Sequence, residues 1–473
     1  MADLWVAGEW VGRGKRLEIR SPFDDAVVDS VPMANAHLCE RALAFAEASA
    51  KRMRATTGHE RYQWLNKAAG LLRDRAADFA RTMTAEVGKT LAESHAEVMR
   101  AVETLTLSAE EAKRIAGRGV PIDGAPETRG RLSFTVRVPC GVVVAVTPFN
   151  FPLNLVAHKV GPGIAAGNSV ILKPASATPL TAIKLVGLLL EAGVPGDAIQ
   201  CLVGPGGEVG ERLCADRRVR KISFTGSVAV GEQICKAAGA KRVTMELGGN
   251  SPLIVMDDAD VNLVVKAAVV TGFGNAGQTC ISTQRILASN RMIGDLLDAL
   301  APAVRAIPFG DPMAEGTKMG PMVRKEEAER VATWIDEAKA SGGRVVAGGG
   351  RSGALHEPTL LADVPEAARV VREELFGPAV VVGTYSSIDE ALAKANATPY
   401  GLSAGIFTRD LGRALRFISE VDAGNLHINW APGWRADLMP YGGLKMSGFG
   451  KEGPAYAVEA MTEEKTVVFH PTA

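Results

Sequence analysis

The sequence predicts an α/β protein built on a doubly wound parallel sheet. From Val142 onward, short runs of β-branched residues alternate with amphipathic stretches of helical spacing, the pattern of strand–helix–strand units. The composition agrees, because 47% of the residues are hydrophobic and the chain contains 51 Gly and 25 Pro, typical of a globular protein with many tight connections. A chain of 473 residues is too long for one ordinary core, so roughly two or three domains are expected.

The N-terminal part is predicted to be helical. Residues 38–117 are rich in Ala, Glu and Arg, show helical periodicity and contain few residues that break helices. We therefore expect long helices packed outside the sheet.

The sheet itself is predicted to start at residues 142–146 and to continue at 169–172, since both segments are β-branched and end near a Pro. A helix follows from Leu180 to a C-terminal cap at Gly193. Further strands are predicted at residues 200–203, 221–224, 243–245 and 253–256.

Polar residues follow several of these strands directly. They are Asn150, Lys173, the turn at residues 224–227, and Glu246. In doubly wound sheets, ligands bind at the carboxyl ends of the strands. One binding site can therefore contain all four of these features.

Composition excludes several classes of function. Lys plus Arg number 53 and Asp plus Glu also number 53, so no net charge attracts nucleic acid. The N-terminus lacks a signal-like apolar run, and no stretch approaches about 18 uninterrupted apolar residues, so we expect a cytoplasmic protein without a membrane partner. The six Cys form no CxxC pair and the seven His show no ligand spacing, so no metal site is expected.

Two segments carry candidate chemistry. Cys280 follows the Gly-containing segment 274–279, where backbone N–H groups could stabilise a thiolate, although a buried structural thiol is the alternative. Glu246 is a lone acid between apolar residues at a strand end. It is either a tuned base or a paired structural carboxylate.

Together these segments resemble the signatures of the aldehyde dehydrogenase superfamily, which are Glu-Leu-Gly-Gly, here residues 246–249, and Gly-Gln-x-Cys, here residues 277–280. The similarity runs from Leu4 to the C-terminus, with the family's motifs in order. The other matching segments are residues 147–152, 173–175, 224–227, 373–378 and 440–445.

The resemblance implies an oxidoreductase that converts an aldehyde to a carboxylic acid. In this scheme Cys280 is the nucleophile, and the Asn150 amide with the Cys280 backbone N–H forms the oxyanion hole. Glu246 activates the water that hydrolyses the thioester, and Lys173 completes the expected catalytic set. For Asn150, the alternative is a residue that caps the turn before Pro152.

The resemblance also implies NAD(P) as cofactor, although no GxGxxG segment opens a helix. The family's pyrophosphate turn corresponds to residues 226–231, with Ser227 at a helix N-terminus that favours anions. Lys173 is expected at the adenosine ribose, and Glu374 and Phe376 at the nicotinamide riboside. The expected cofactor-binding residues are Thr147, Pro148, Phe149, Lys173, Ser176, Gly207, Phe224, Gly226, Ser227, Val230, Gly231, Leu247, Glu374 and Phe376.

Two positions bear on the choice of cofactor and of substrate. Ser176 stands where NAD-preferring members often carry a Glu, so we expect NADP to be accepted as well as NAD. Arg435 precedes Asp437 in a segment that resembles the substrate loop of lactaldehyde and phosphonoacetaldehyde dehydrogenases. Because Thr279 replaces an anion-binding Arg before the nucleophile, lactaldehyde, glycolaldehyde or succinic semialdehyde is favoured over a phosphonate. The alternative is that Arg435 pairs with Asp437 or another surface acid.

The predicted architecture is thus aldehyde dehydrogenase-like, with a doubly wound cofactor domain, an α/β catalytic domain and a small β oligomerisation hairpin. Residues 1–117 and 141–248 form the first domain, 249–433 the second, and 118–140 with 454–473 the hairpin segments. Residues 131–138 and 464–470 are predicted edge strands, which can pair with another chain. The resemblance implies that these segments build the oligomerisation surface, so a homodimer or homotetramer is expected.

Two rival functions stay open at this point. A CoA-acylating aldehyde dehydrogenase would release the thioester to a thiol and would not need the water-activating Glu246. A catalytically silent binding or structural homologue would not need Cys280, Glu246, Asn150 and Lys173 together.

Overall fold

The structure is a computed structural model that describes residues 2–471. Its α-helices are α1 (Ala36–Ala55), α2 (Gly58–Asp74), α3 (Ala76–Val87), α4 (Leu91–Ala112), α5 (Asn154–Ala165), α6 (Leu180–Ala192), α7 (Glu211–Ala215), α8 (Val228–Ala238), α9 (Val261–Phe273), α10 (Ile293–Arg305), α11 (Lys325–Ala340), α12 (Arg369–Arg372), α13 (Ile388–Asn396), α14 (Leu411–Glu420) and α15 (Pro454–Ala460).

Its strands are β1 (Leu4–Val6), β2 (Glu9–Val11), β3 (Arg16–Arg20), β4 (Val27–Pro32), β5 (Leu132–Pro139), β6 (Val142–Val146), β7 (Ser169–Lys173), β8 (Ile199–Cys201), β9 (Val219–Thr225), β10 (Arg242–Glu246), β11 (Ser251–Val255), β12 (Thr283–Ser289), β13 (Arg344–Ala347), β14 (Arg351–Ser352), β15 (Leu355–His356), β16 (Thr359–Ala362), β17 (Ala379–Tyr385), β18 (Tyr400–Gly401), β19 (Ser403–Phe407), β20 (Asn425–Ile428), β21 (Leu444–Lys445), β22 (Gly448–Phe449) and β23 (Thr462–Phe469).

The first sheet has eight strands in the order β2-β1-β8-β7-β6-β9-β10-β22. Its five central strands are parallel, and the chain runs outward from β6 first through β7 and β8 and then through β9 and β10. This is the doubly wound arrangement that the sequence predicts. The edge strands differ from the prediction, because β1, β2 and β22 run antiparallel to their neighbours. The switch point between β6 and β9 is where ligands bind in such sheets.

The second sheet has seven strands in the order β13-β16-β17-β12-β11-β19-β20. The segment predicted at residues 253–256 as a further strand of the first sheet is β11, and it lies in this second sheet. The reason is that β22 already pairs with the outer edge of β10, through Met245 with Phe449 and Glu246 with Gly448. The chain therefore leaves the first sheet after Glu246.

Helices α1 to α4 confirm the prediction of long helices in residues 38–117. Capping boxes start two of them, with Thr57 and Glu60 at α2 and Thr90 and Glu93 at α4. Their apolar faces join the core around the first sheet, while separate clusters surround the second. Helix α6 runs from Leu180 to Ala192. Gly193, with a left-handed φ of 105°, is the C-cap that the sequence predicts.

Strands β5 and β23 form an antiparallel pair apart from the two large sheets. The pairing extends from Thr462 opposite Pro139 to Phe469 opposite Leu132, close to the predicted edge strands. The role of this pair in oligomerisation, like the assignment of domains, stays a prediction. Within residues 2–471, none of the helices combines the length and apolar character needed to span a bilayer.

Candidate active site

A cavity of about 250 Å³ brings together residues that are far apart in the sequence. Glu246 enters it from the end of β10, and Cys280 from the loop before β12. Arg435, Tyr441 and Glu452 come from the C-terminal part of the chain. The predicted nucleophile, base and substrate residue thus line one cavity, whereas Tyr441 and Glu452 have no predicted role.

The turn before Cys280 is held by residues of three segments. Asn275 and Ala276 adopt left-handed φ angles of 51° and 53°, a conformation that needs outside support. The Asn275 amide donates to Glu93 of the α4 capping box at 2.6 Å, and its side chain donates to the Asn150 carbonyl at 3.2 Å. In return, the Asn150 side-chain amide donates to the Gln278 carbonyl at 2.8 Å. These bonds fix Asn150 against the loop that carries Cys280.

The Cys280 sulfur lies 3.2 Å from the Tyr441 hydroxyl. Burial raises the pKa of the Cys280 thiol to about 12, although the Tyr441 hydrogen bond acts in the opposite direction. This differs from the expectation that turn amides would favour the thiolate, because the removal of water from the sulfur has the largest effect on its pKa. In the ligand-free protein the thiol form predominates.

Glu246 is buried, and neither of its carboxylate oxygens has a hydrogen-bond partner within residues 2–471. Burial, together with the nearby Glu452 carboxylate, raises the pKa of Glu246 well above its usual range. Gly442 leaves room for this side chain, since a Cβ there would lie 2.8 Å from Oε1. A structural carboxylate would have partners, so the contacts favour the tuned base.

Glu452 is buried in the same cavity but is fully paired. Its oxygens lie 2.6 Å from Lys159 Nζ and 3.0 Å from Arg435 Nη1. Burial alone would raise the pKa of Glu452, but the charges of Lys159 and Arg435 outweigh it and lower the pKa. Glu452 therefore stays ionised, and its charge contributes to the raised pKa of Glu246.

Among the described residues, Arg435 pairs with neither Asp437 nor a surface acid. The alternative that named these partners is therefore wrong about which acid binds Arg435. Its guanidinium binds buried Glu452, lies 3.3 Å from a ring nitrogen of His158, and stacks 4.0 Å from the Tyr441 ring centroid. Burial and the Arg435 charge lower the pKa of His158 to about 4, so this imidazole stays neutral.

Asp437 instead binds Arg100 of α4, through two hydrogen bonds of 2.8 and 3.0 Å. It also accepts hydrogen bonds from Asn154 at 3.0 Å and lies 2.8 Å from His158 Nε2. Arg100 lines the cavity, and about a third of its side chain, 34%, is exposed. The cavity thus holds a second arginine that the sequence did not single out.

The expected adenosine site lies at the end of β7. Lys173 is buried there, and burial lowers its pKa. The Ser176 hydroxyl donates to the Gly204 carbonyl at 3.0 Å. A cleft of about 710 Å³ opens beside Gly207, where nothing lies within 4 Å of an added Cβ.

The expected pyrophosphate turn opens helix α8. Ser227 is the N-cap of this helix and accepts from the Val230 amide at 3.5 Å. Phe224 lies beneath Gly226, where a Cβ would come 2.5 Å from its ring. Gly231 packs on Leu247, since a Cβ there would lie 2.6 Å from a leucine methyl. The backbone N–H groups at the N-terminus of α8 suit the binding of an anion.

The expected nicotinamide residues also converge. The rings of Phe149 and Phe376 meet edge to face with centroids 5.9 Å apart. Glu374 accepts from the Gly249 amide at 2.9 Å, and burial raises the pKa of Glu374 to about 7. The hydroxyl of Thr147, which directly precedes Pro148 and Phe149, is buried without a partner among the described residues. Such a donor suits a bound dinucleotide, so the residues present fit the expected cofactor.

Sequence reasoning missed several members of the site. Tyr441 lies within a recognised motif, so the signal was present but suggested no role. Lys159, Glu452 and Arg100 carry no local signal, because a charged residue on a helix or in a loop usually faces water. Only burial distinguishes Lys159 and Glu452, and only its place in the cavity distinguishes Arg100.

Comparisons with known proteins agree with the geometry. The model of the aldehyde dehydrogenase family matches residues 10–467. A 3-sulfolactaldehyde dehydrogenase of Priestia aryabhattai is 45% identical over 467 residues, which are 99% of this chain and 98% of the relative. A lactaldehyde dehydrogenase of Methanococcus aeolicus is 35% identical over 469 residues, 98% of this chain and 99% of the relative.

Among solved structures, aldehyde dehydrogenase 21 from Physcomitrella patens, in complex with the reaction product succinate, matches with a TM-score of 0.96 and 37% identity, covering 99% of this chain and 98% of that one. The resemblance drawn from the motifs and the α/β fold class are both confirmed. The chain is a member of the aldehyde dehydrogenase family and an NAD(P)-dependent oxidoreductase.

Proposed function

We propose that this protein oxidises a small aldehyde bearing an anionic group to the carboxylic acid. The observation that carries the substrate class is the presence of two arginines, Arg100 and Arg435, in the cavity that contains Cys280 and Glu246. In this proposal Cys280 is the nucleophile and Glu246 the base. Bound NAD(P) supplies the acceptor for the hydride.

The first half-reaction begins when the Cys280 sulfur attacks the aldehyde carbon and leaves negative charge on the carbonyl oxygen. Asn150 is suited to stabilise that charge. One N–H of its amide is donated to the Gln278 carbonyl, which orients the group and leaves the second N–H for the oxyanion. A donor of this kind contributes about 3 kcal/mol to transition-state stabilisation.

The second half-reaction hydrolyses the thioester on Cys280. Glu246 has no hydrogen-bond partner among residues 2–471, and its raised pKa suits it to take a proton from water and return it to the leaving sulfur. A CoA-acylating enzyme would have no use for this carboxylate, so the unpaired Glu246 favours hydrolysis.

Arg100 is the better placed of the two arginines to bind the substrate anion. Asp437 occupies its Nε and Nη2, and within residues 2–471 no acceptor lies on Nη1. Arg435, by contrast, is bound to Glu452 and stacked on Tyr441. Two relatives support an anionic substrate, since sulfolactaldehyde carries a sulfonate and succinate a carboxylate beyond the reacting carbon.

The test compares Arg100→Met on an anionic aldehyde, succinic semialdehyde, and on a neutral one, butanal. Loss of a charge-assisted hydrogen bond should lower kcat/KM for the anionic substrate about ten- to a hundredfold and leave butanal nearly unchanged. Arg114→Met, at an exposed position beyond the end of the same helix, is the control and should change neither. Equal losses on both substrates would refute Arg100 as the group that recognises the anion.

A further inference from the structure

Tyr441 holds a position that the proposed mechanism does not use. Its ring is buried, and its backbone exchanges two hydrogen bonds with Glu452, of 3.1 and 2.7 Å. This pairing anchors the Tyr441 backbone beside the cavity, and the hydroxyl lies 3.2 Å from the Cys280 sulfur. A buried tyrosine at hydrogen-bond distance from a nucleophile touches the reacting atom.

The guanidinium of Arg435 lies over the Tyr441 ring. Its guanidinium carbon is 4.0 Å from the Tyr441 ring centroid, and Glu452 and His158 hold the group in place. A cation on the face of a phenol withdraws electron density from the ring and makes the hydroxyl a stronger donor. The Arg435 side chain is only 6% exposed, so its charge is little screened by solvent.

The groups around Cys280 divide into two sets. Glu246 and Glu374 bear carboxylates that disfavour a thiolate, as does burial. Tyr441 and Arg435 favour the thiolate. Burial, with the neighbouring sulfur, also raises the pKa of Tyr441 well above its usual range, so its hydroxyl keeps its proton and can donate it in a hydrogen bond to a thiolate.

We propose that Tyr441 is a further catalytic residue, whose hydroxyl donates a hydrogen bond to the Cys280 thiolate, and that Arg435 strengthens this donation as a positioning residue. The thiol loses its proton to water, and the sulfur lone pair then accepts the hydrogen bond. When the C–S bond forms, the negative charge moves to the carbonyl oxygen and the hydrogen bond weakens. This inference rests on the proposed role of Cys280 as nucleophile.

The test is alkylation of Cys280 by iodoacetamide as a function of pH, followed on the Cys280 peptide by mass spectrometry without substrate or cofactor. Tyr441→Phe removes only the hydroxyl, and it should slow alkylation at pH 7 about tenfold and move the pH profile upward. The pH profile of kcat/KM should move in the same direction. Tyr456→Phe, at an exposed tyrosine of α15, should match the parent protein.

Arg435→Lys tests the second half of the inference, because lysine keeps a charge for Glu452 but loses the planar stack. If Arg435 acts through Tyr441, Arg435→Lys should change the alkylation rate of the parent protein but hardly change that of the Tyr441→Phe variant. An unchanged alkylation profile in Tyr441→Phe would overturn the inference. Activity that survives Cys280→Ala would instead overturn the proposed function, so the two failures are distinct.

Discussion

Two carboxylates of one cavity, Glu246 and Glu452, have pKa values shifted in opposite directions. Both are buried, but Glu452 has Lys159 and Arg435 as partners, while Glu246 has no partner among the described residues. Because burial penalises an unpaired charge, the pKa of Glu246 is raised, whereas the two cations lower the pKa of Glu452. The sequence shows two glutamates, and only their partners decide which one can act as a base.

At the residue scale, we predict that Glu246→Gln separates the two half-reactions. Tyr441 and Arg435 still support the Cys280 thiolate in this variant, so one equivalent of reduced nicotinamide should form in a burst. Turnover should then fall about 10²- to 10⁴-fold, because no base activates water. Rapid-mixing absorbance at 340 nm measures both phases.

The control for this experiment is Glu326→Gln, on an exposed position of α11, which should retain full turnover. Added CoA should not restore turnover in Glu246→Gln, whereas a CoA-acylating enzyme would regain it. A variant that binds cofactor but gives no burst would show that Glu246 already acts in the first half-reaction.

At the scale of elements, the site depends on where strands and helices end. Helix α4 supplies Glu93 to the turn before Cys280 and Arg100 to the cavity, so a helix predicted only to pack outside the sheet holds two parts of the site. The ends of β6 and β7 carry Thr147 and Lys173 towards the expected dinucleotide. Parallel strands place these residues at one edge of the sheet.

The segment after β7 carries the prediction on cofactor choice. Ser176 is neutral and donates to Gly204, so this position carries no carboxylate that would repel a 2′-phosphate. We expect kcat/KM with NADP to lie within a hundredfold of that with NAD, a margin of about 2.7 kcal/mol. Ser176→Glu should lower kcat/KM with NADP at least tenfold and leave kcat/KM with NAD unchanged. Ser176→Gln should leave both values unchanged. A parent enzyme that prefers NAD by more than a hundredfold would contradict this expectation.

At the scale of the whole molecule, the pair of β5 and β23 stands apart from both large sheets. Leu132 and Phe469 on this pair are 62% and 57% exposed, an apolar surface that a second copy would cover. We predict a homodimer or homotetramer whose assembly needs this pair. Leu132→Asp should shift the mass measured by light scattering towards the monomer and preserve the circular dichroism spectrum.

The control is Leu411→Asp, a leucine of α14 that is 73% exposed and lies outside the predicted oligomerisation segments. It should leave the mass unchanged. A parent protein that is monomeric at micromolar concentration, or a Leu132→Asp variant with unaltered mass, would contradict the prediction.

The sequence by itself determined the family, the α/β class and most of the central strands. β6 spans the predicted residues, and α6 ends at the predicted Gly193, because β-branched runs, helical spacing and left-handed caps are local properties. The motifs also pointed to Cys280 and Glu246, which share one cavity.

Only the tertiary structure decided what surrounds those residues. It placed β11 in the second sheet, set Tyr441 against Cys280, and paired Asp437 with Arg100 rather than with Arg435. It also raised the pKa of Cys280, contrary to expectation. These outcomes depend on contacts between residues more than a hundred positions apart and on the removal of water from charged groups. Both are created by packing, and neither leaves a local pattern in the sequence.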